Sequence, residues 1–103
     1  MPELMKVAEV GEVAPGERKF LTIDGELAAL FNVDGEYYAI ADVCTHDDGP
    51  VAEGALDEYE IECPRHGARF DIRDGSVRSF PAIVPIPVYE VRVQEDGIYV
   101  VRP

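Results

Sequence analysis

Asp-Gly dipeptides punctuate this chain at Asp24-Gly25, Asp34-Gly35, Asp74-Gly75 and Asp96-Gly97, and the segments they leave are strand-sized. Asp-Gly suits a tight hairpin because Gly, and to a lesser extent Asp, tolerates positive φ. Phe20–Ile23 and Glu26–Val33 flank the first pair, and the second leads into Glu36–Ala41, which predicts a meander of short strands. Near the end, Tyr89, Val91 and Val93 alternate with Glu90, Arg92 and Gln94, the period of a half-buried strand. Asp96-Gly97 should then turn that strand into Ile98–Arg102. No window carries a sustained 3.6-residue apolar pattern. Pro81, Pro85 and Pro87 would break a helix and confine Ile83–Val88 to loop or edge strand. The expected class is all-β.

The segment from Asp42 to about Ala82 departs from this pattern. It is rich in Gly and Pro and holds both cysteines and both histidines of the chain. The expectation is a single domain over residues 1–103, with an insertion at about 42–82 carried on a β base. At 103 residues the chain can bury one modest core but not an additional catalytic domain. Its 47% apolar content is that of an ordinary globular protein.

Charge narrows the possible partners. The net charge is −12, which argues against nucleic acid, whose phosphates would repel it. Between Phe20 and Pro64 there is no Lys or Arg, but there are twelve acids, among them Asp42, Asp47, Asp48, Glu53, Asp57 and Glu58. Elsewhere nine acids balance nine bases. Most single acids are solvated turn residues, yet a field this one-sided can steer a basic protein partner. No apolar run approaches the ~20 residues of a membrane helix. The Met1–Lys6 start lacks a basic segment leading into an apolar one, so a cytoplasmic, monomeric protein without membrane contact is expected. In that compartment two cysteines suit metal better than a disulfide.

Cys44-Thr45-His46 and Cys63-Pro64-Arg65-His66 place every Cys and His of the chain in two compact pairs. Three arrangements compete. A tetrahedral Cys₂His₂ zinc site is one, although zinc fingers draw two cysteines from one knuckle and two histidines from one helix. A Cys44–Cys63 disulfide with incidental histidines is the second. The third is one [2Fe–2S] cluster, with two thiolates on one iron and two imidazoles on the other. The symmetry of one Cys and one His per loop favours the third.

These residues resemble the Rieske family, and specifically its small soluble ferredoxins. The similarity runs from Met5-Lys6-Val7 through both ligand motifs to Pro85–Val93 and Gly97-Ile98-Tyr99-Val100. It implies an antiparallel β sandwich with a small cluster-binding subdomain at one tip. It further implies Cys44 and Cys63 on a buried iron, His46 and His66 on an outer one, and a third loop near Ser79-Phe80-Pro81-Ala82 covering the cluster. Family members that oxidise quinols have two further cysteines in a disulfide; Gly49 and Arg65 stand there instead. Ala68 and Phe70 replace a Ser and a Tyr that would hydrogen-bond the cluster. With Asp47 and Asp48 beside His46, this implies a low-potential member. The expected role is electron transfer rather than enzymatic catalysis, from a flavin-containing reductase to a terminal oxygenase or similar acceptor. A Rieske-like subunit of a larger enzyme such as nitrite reductase, or an accessory factor in iron–sulfur assembly or redox sensing, are the alternatives. An oxygenase catalytic subunit is excluded, since no His is left for a mononuclear iron site.

Overall fold

The computed structural model describes residues 3–43, 51–64, 67–79 and 84–101. The described residues form antiparallel sheets only, as the all-β reading requires. The strands are β1 (Leu4–Ala8), β2 (Arg18–Ile23), β3 (Glu26–Val33), β4 (Glu36–Ala41), β5 (Leu56–Asp57), β6 (Glu60–Glu62), β7 (Arg69–Asp71), β8 (Val77–Ser79), β9 (Val88–Tyr89), β10 (Val91–Gln94) and β11 (Gly97–Val101). They order into an outer sheet β1-β11-β10, a middle sheet β2-β3-β4-β9 and a small sheet β5-β6-β7-β8. No helix among the described residues is long and apolar enough to cross a membrane.

The centre of the middle sheet is covered on both faces, and β3 shows why. Successive side chains of a strand point to opposite faces. Ala28 and Leu30 join one core with Val7, Val13, Ile98 and Val100 of the outer layer. Ala29 and Phe31 join another with Ile61, Cys63, Ala68 and Phe70 of the small sheet. In β4, Ala39 and Ile40 divide in the same way. The uninterrupted run Ala28-Ala29-Leu30-Phe31 is what two-sided burial demands.

The first two Asp-Gly pairs are hairpin turns, with φ of 51° and 83° at Asp24 and Gly25 and of 52° and 90° at Asp34 and Gly35. Positive φ at both central residues matches the right-handed twist of the flanking strands. The other two pairs depart from expectation. Phe70 pairs with Val77 across a longer turn, in which Asp71 N donates to Ser76 O. Gln94 pairs with Gly97, so Glu95-Asp96 is the turn and Gly97 is already strand. Gly97 is there for β1: a Cβ on it would stand 2.5 Å from Lys6 Cε and 2.9 Å from the Ala8 carbonyl oxygen.

The expected single strand over residues 89–94 is two strands. Tyr89 pairs with Ala39 in the middle sheet, whereas Val91 pairs with Val100 in the outer one. The chain changes layer at Glu90, whose carbonyl accepts from Val101 N. Val93, on the edge strand of the outer sheet, is left 59% exposed.

Candidate metal centre

Of the four residues expected to bind metal, Cys63 lies within the described residues; Cys44, His46 and His66 lie outside them. So do Asp47, Asp48, Gly49, Arg65 and Phe80–Ala82. The described structure nevertheless shows how the flanks of the motifs are held.

Cys63 follows β6 directly. Its N–H donates to the Ala68 carbonyl at 2.7 Å, and Gly67 N–H donates to the Cys63 carbonyl at 3.0 Å. The two bonds draw Cys63 together with Gly67 and Ala68, so the two flanks of the motif are held to each other. Gly67 takes φ +77°, a conformation that glycine adopts without cost. The Cys63 thiol is free, and the residue is 1% exposed among Val51, Ala52, Ala68 and Phe70. An apolar shell around a buried thiol suits a metal-bound thiolate, because it keeps water and competing ligands away. Ala68 and Phe70 are fully buried in that shell and present no hydroxyl.

The flanks of the first motif are joined by Asp42. Its own N–H donates to the Leu27 carbonyl at the end of the middle sheet. Its Oδ1 accepts from Val51 N at 2.9 Å and Ala52 N at 2.8 Å, bridging the entry and exit of residues 43–50. Arg18 holds the exit from the other side, its Nη1 donating at 2.7 Å to both the Ala52 and Gly54 carbonyls. The Arg18 guanidinium lies 5.1 Å from the Phe31 ring centroid, a cation–π placement that steadies its fork.

The two motifs are brought together through backbone. Glu62 N–H donates to the Ala55 carbonyl, and the Glu62 carbonyl lies against Gly54. The flanks of residues 80–83 are tied to the two ends of the β7–β8 hairpin, one beside the second motif and one at the turn. Ser79 Oγ donates to the Gly67 carbonyl at 3.4 Å, and Ile86 N–H donates to the Gly75 carbonyl at 3.0 Å.

Acids and bases around the centre are more evenly matched than the linear sequence implies. Arg69 has Asp57, Glu60 and Glu62 around it at 3.7–3.8 Å. These are long, solvent-screened contacts, each worth little on its own. Asp71, 2% exposed, accepts from Arg73 and Arg78, and the Arg73 guanidinium holds its carboxyl well below the usual range. Arg73 also lies 4.2 Å over the Tyr59 ring, which meets Tyr38 edge-on at 5.8 Å. Tyr38 donates to Glu36, and that bond pushes its hydroxyl pKa up to about 12. This chain of contacts fastens the small sheet to the middle one.

Sequence reasoning counted Asp42 only among the surface acids and gave Arg18 and Gly54 no role. The signals for them were weak. Arg18 acts across 34 and 36 residues of sequence, and nothing local distinguishes Gly54 from a loop glycine.

Comparison with known proteins adds independent findings. A family model described as the Rieske [2Fe–2S] domain matches residues 3–90. The chain is 40% identical over 96 residues to the biphenyl dioxygenase ferredoxin subunit of Pseudomonas sp. (strain KKS102), covering 92% of this chain and 88% of that one. Among solved structures it is similar to the ferredoxin of carbazole 1,9a-dioxygenase from Nocardioides aromaticivorans IC177. There the TM-score is 0.90 at 29% identity, over 97% of this chain and 98% of the other. A chain in the complex of reduced oxygenase and oxidized ferredoxin in carbazole 1,9a-dioxygenase matches with a TM-score of 0.87 at 36% identity, over 95% of this chain and 92% of that one.

Proposed function

The chain belongs to the Rieske [2Fe–2S] family, and from that premise we propose that it is a one-electron carrier between a flavin-containing reductase and a terminal oxygenase or similar acceptor. Relatives that match over most of their length are named as ferredoxin components of dioxygenases, which favours a carrier over a nitrite reductase subunit or an assembly factor. Cys44 and Cys63 would hold one iron of a single cluster, and His46 and His66 the other. The observation that carries this reading is the buried Cys63 side chain, set where the flanks of both Cys/His motifs are stitched together.

When bound, such a cluster takes up and releases one electron at a time. The chain's own residues supply the rest. Thiolate and imidazole donors set different affinities for the electron at the two irons. Val51, Ala52, Ala68 and Phe70 keep water from the Cys63 side. Imidazoles of His46 and His66 on the outer iron, as the family resemblance implies, would give the electron a short path to a docked protein. Residues 1–103 act as one Rieske domain whose cluster-binding part spans about 42–82, working as a monomer in the cytoplasm.

Anaerobic stopped-flow mixing tests the role. The oxidised protein should take one electron per chain from a flavin reductase supplied with reduced nicotinamide, and return it to a ring-hydroxylating oxygenase within the turnover time of that enzyme. Reduction without any reoxidation by an oxygenase or comparable acceptor would refute the carrier reading.

A further inference from the structure

We propose that Asp42 and Arg18 are positioning residues which hold the two flanks of the first Cys/His motif, Asp42 on one side and Val51–Gly54 on the other, and so favour retention of iron by Cys44 and His46. The inference rests on the ligand reading above. The backbone of Asp42 is fixed to the middle sheet by its N–H bond to the Leu27 carbonyl, so the carboxylate is carried on an anchored residue. One oxygen of that carboxylate receives two successive amides, Val51 N and Ala52 N. A charged acceptor makes these bonds stronger than bonds to a neutral oxygen. Ala52 is then gripped a second time, since its carbonyl accepts from Arg18 as the Gly54 carbonyl does. Arg18 is itself stacked over Phe31, which shares a core with Cys63. Through these contacts the base of the first motif is tied both to the β sheet and to the core behind the second motif. A metal loop closed in advance has less conformational entropy to lose when its ligands bind.

The two ends can be loosened separately. D42A removes the acceptor, while D42N keeps an oxygen for Val51 N and Ala52 N and so serves as the conservative rescue. With the full-length, cluster-loaded protein, D42A should lose iron to an excess of chelator at least tenfold faster than wild type. Deuterium uptake in peptides covering residues 51–54 should rise by a similar factor, and the EPR spectrum of the reduced protein should broaden. D42N should stay within about threefold of wild type on each measure. R18M should show the same accelerated iron loss, about severalfold, and provides the test should D42A fail to fold. Wild-type iron retention and uptake at 51–54 in D42A would overturn the proposal, as would D42N behaving like D42A. A wild-type protein that holds no iron would instead sink the ligand assignment, and uptake at 51–54 in the same full chain would still decide the clamp.

Discussion

Gly54 has no side chain, and the Glu62 carbonyl occupies the space one would need: a Cβ there would stand 1.6 Å from the oxygen and 2.8 Å from its carbon. Gly54 belongs to the exit of the first motif, and Glu62 immediately precedes Cys63 of the second. Their contact therefore sets how near the two metal loops can come. An alanine at 54 must push two backbone segments apart, and neither is a flexible side chain that could yield. Overpacking of this kind costs about 1–3 kcal/mol, often more against backbone. G54A should lower the melting temperature and reduce iron per chain to under half of wild type, both read on the same preparation.

The metal content is checked directly. The purified protein should be red-brown, with about two irons and two acid-labile sulfides per chain. One zinc and no sulfide would place the chain with the Cys₂His₂ sites instead. His66→Cys should lower the reduction potential of any cluster that it retains, because a thiolate donates more charge to iron than a neutral imidazole.

Asp71 predicts an acid limit to stability. Its carboxylate accepts from Arg73 Nε at 3.0 Å, Arg73 Nη2 at 2.7 Å and Arg78 Nη2 at 3.1 Å while only 2% exposed. The folded pKa is depressed, so its contribution is complete above the unfolded value of about 4 and is lost as pH falls through the folded one. Unfolding followed from pH 7 downward should therefore show stability declining below about pH 4, with a shallower decline in D71N. D71N should itself be less stable at pH 7 by about 2–3 kcal/mol. That is under the 3–5 kcal/mol typical of fully buried pairs, because both guanidiniums are about half exposed.

How far the sequence carried the fold depended on whether each signal was local. Asp24-Gly25 and Asp34-Gly35 specify their turns through their own backbone preferences and were legible. Glu95-Asp96 was misread as Asp96-Gly97 because the glycine answers to Lys6 and Ala8, which only the fold brings near. Positive φ at Glu58, in the β5–β6 turn, had no local sign at all. Glu26–Val33 was legible as a strand but not as one covered on both faces, which the layers on either side decide. At the centre, the scarcity and pairing of Cys and His singled out Cys63 as a candidate ligand, but not its burial against Val51, Ala52, Ala68 and Phe70. Arg18, Asp42 and Gly54 were not legible, since each acts by holding a distant backbone.

The reduction potential should fall near the low end of the Rieske range, which runs from about −150 to +300 mV. Ala68 and Phe70 fill the space beside Cys63 with carbon and offer no hydroxyl to stabilise the added electron. The charge of Asp42, two residues before Cys44, disfavours the reduced state further. Voltammetry at neutral pH measures this, and a value well above zero would mean that backbone amides donate to the cluster more than these side chains suggest.

Docking should depend on salt, but through fewer acids than the sequence total suggests. Asp42 already holds two amides, and Asp57, Glu60 and Glu62 face Arg69. The two hairpin turns lie at opposite ends of β3, so Asp34 points away from the end where Asp42 meets Leu27. Beside that end is a groove of about 250 Å³ lined by Gly25, Glu26, Leu27, Ala41, Asp42 and Val43, immediately before Cys44. Glu26 and the exposed Leu27 there would suit a partner presenting a basic rim around an apolar contact. Electron transfer needs the partner near His46 and His66, so Asp47 and Asp48 should add to the same field. Association measured by stopped flow should slow steeply as ionic strength approaches about 0.15 M, where exposed charges are screened beyond ~8 Å. D47N/D48N should slow association about threefold at low salt and flatten its salt dependence, with the cluster intact. D34N, at the far end of the sheet, should leave the rate unchanged. If D34N slowed association as much as D47N/D48N, steering would belong to net charge alone; a rate indifferent to salt would leave the acids as a solubilising face.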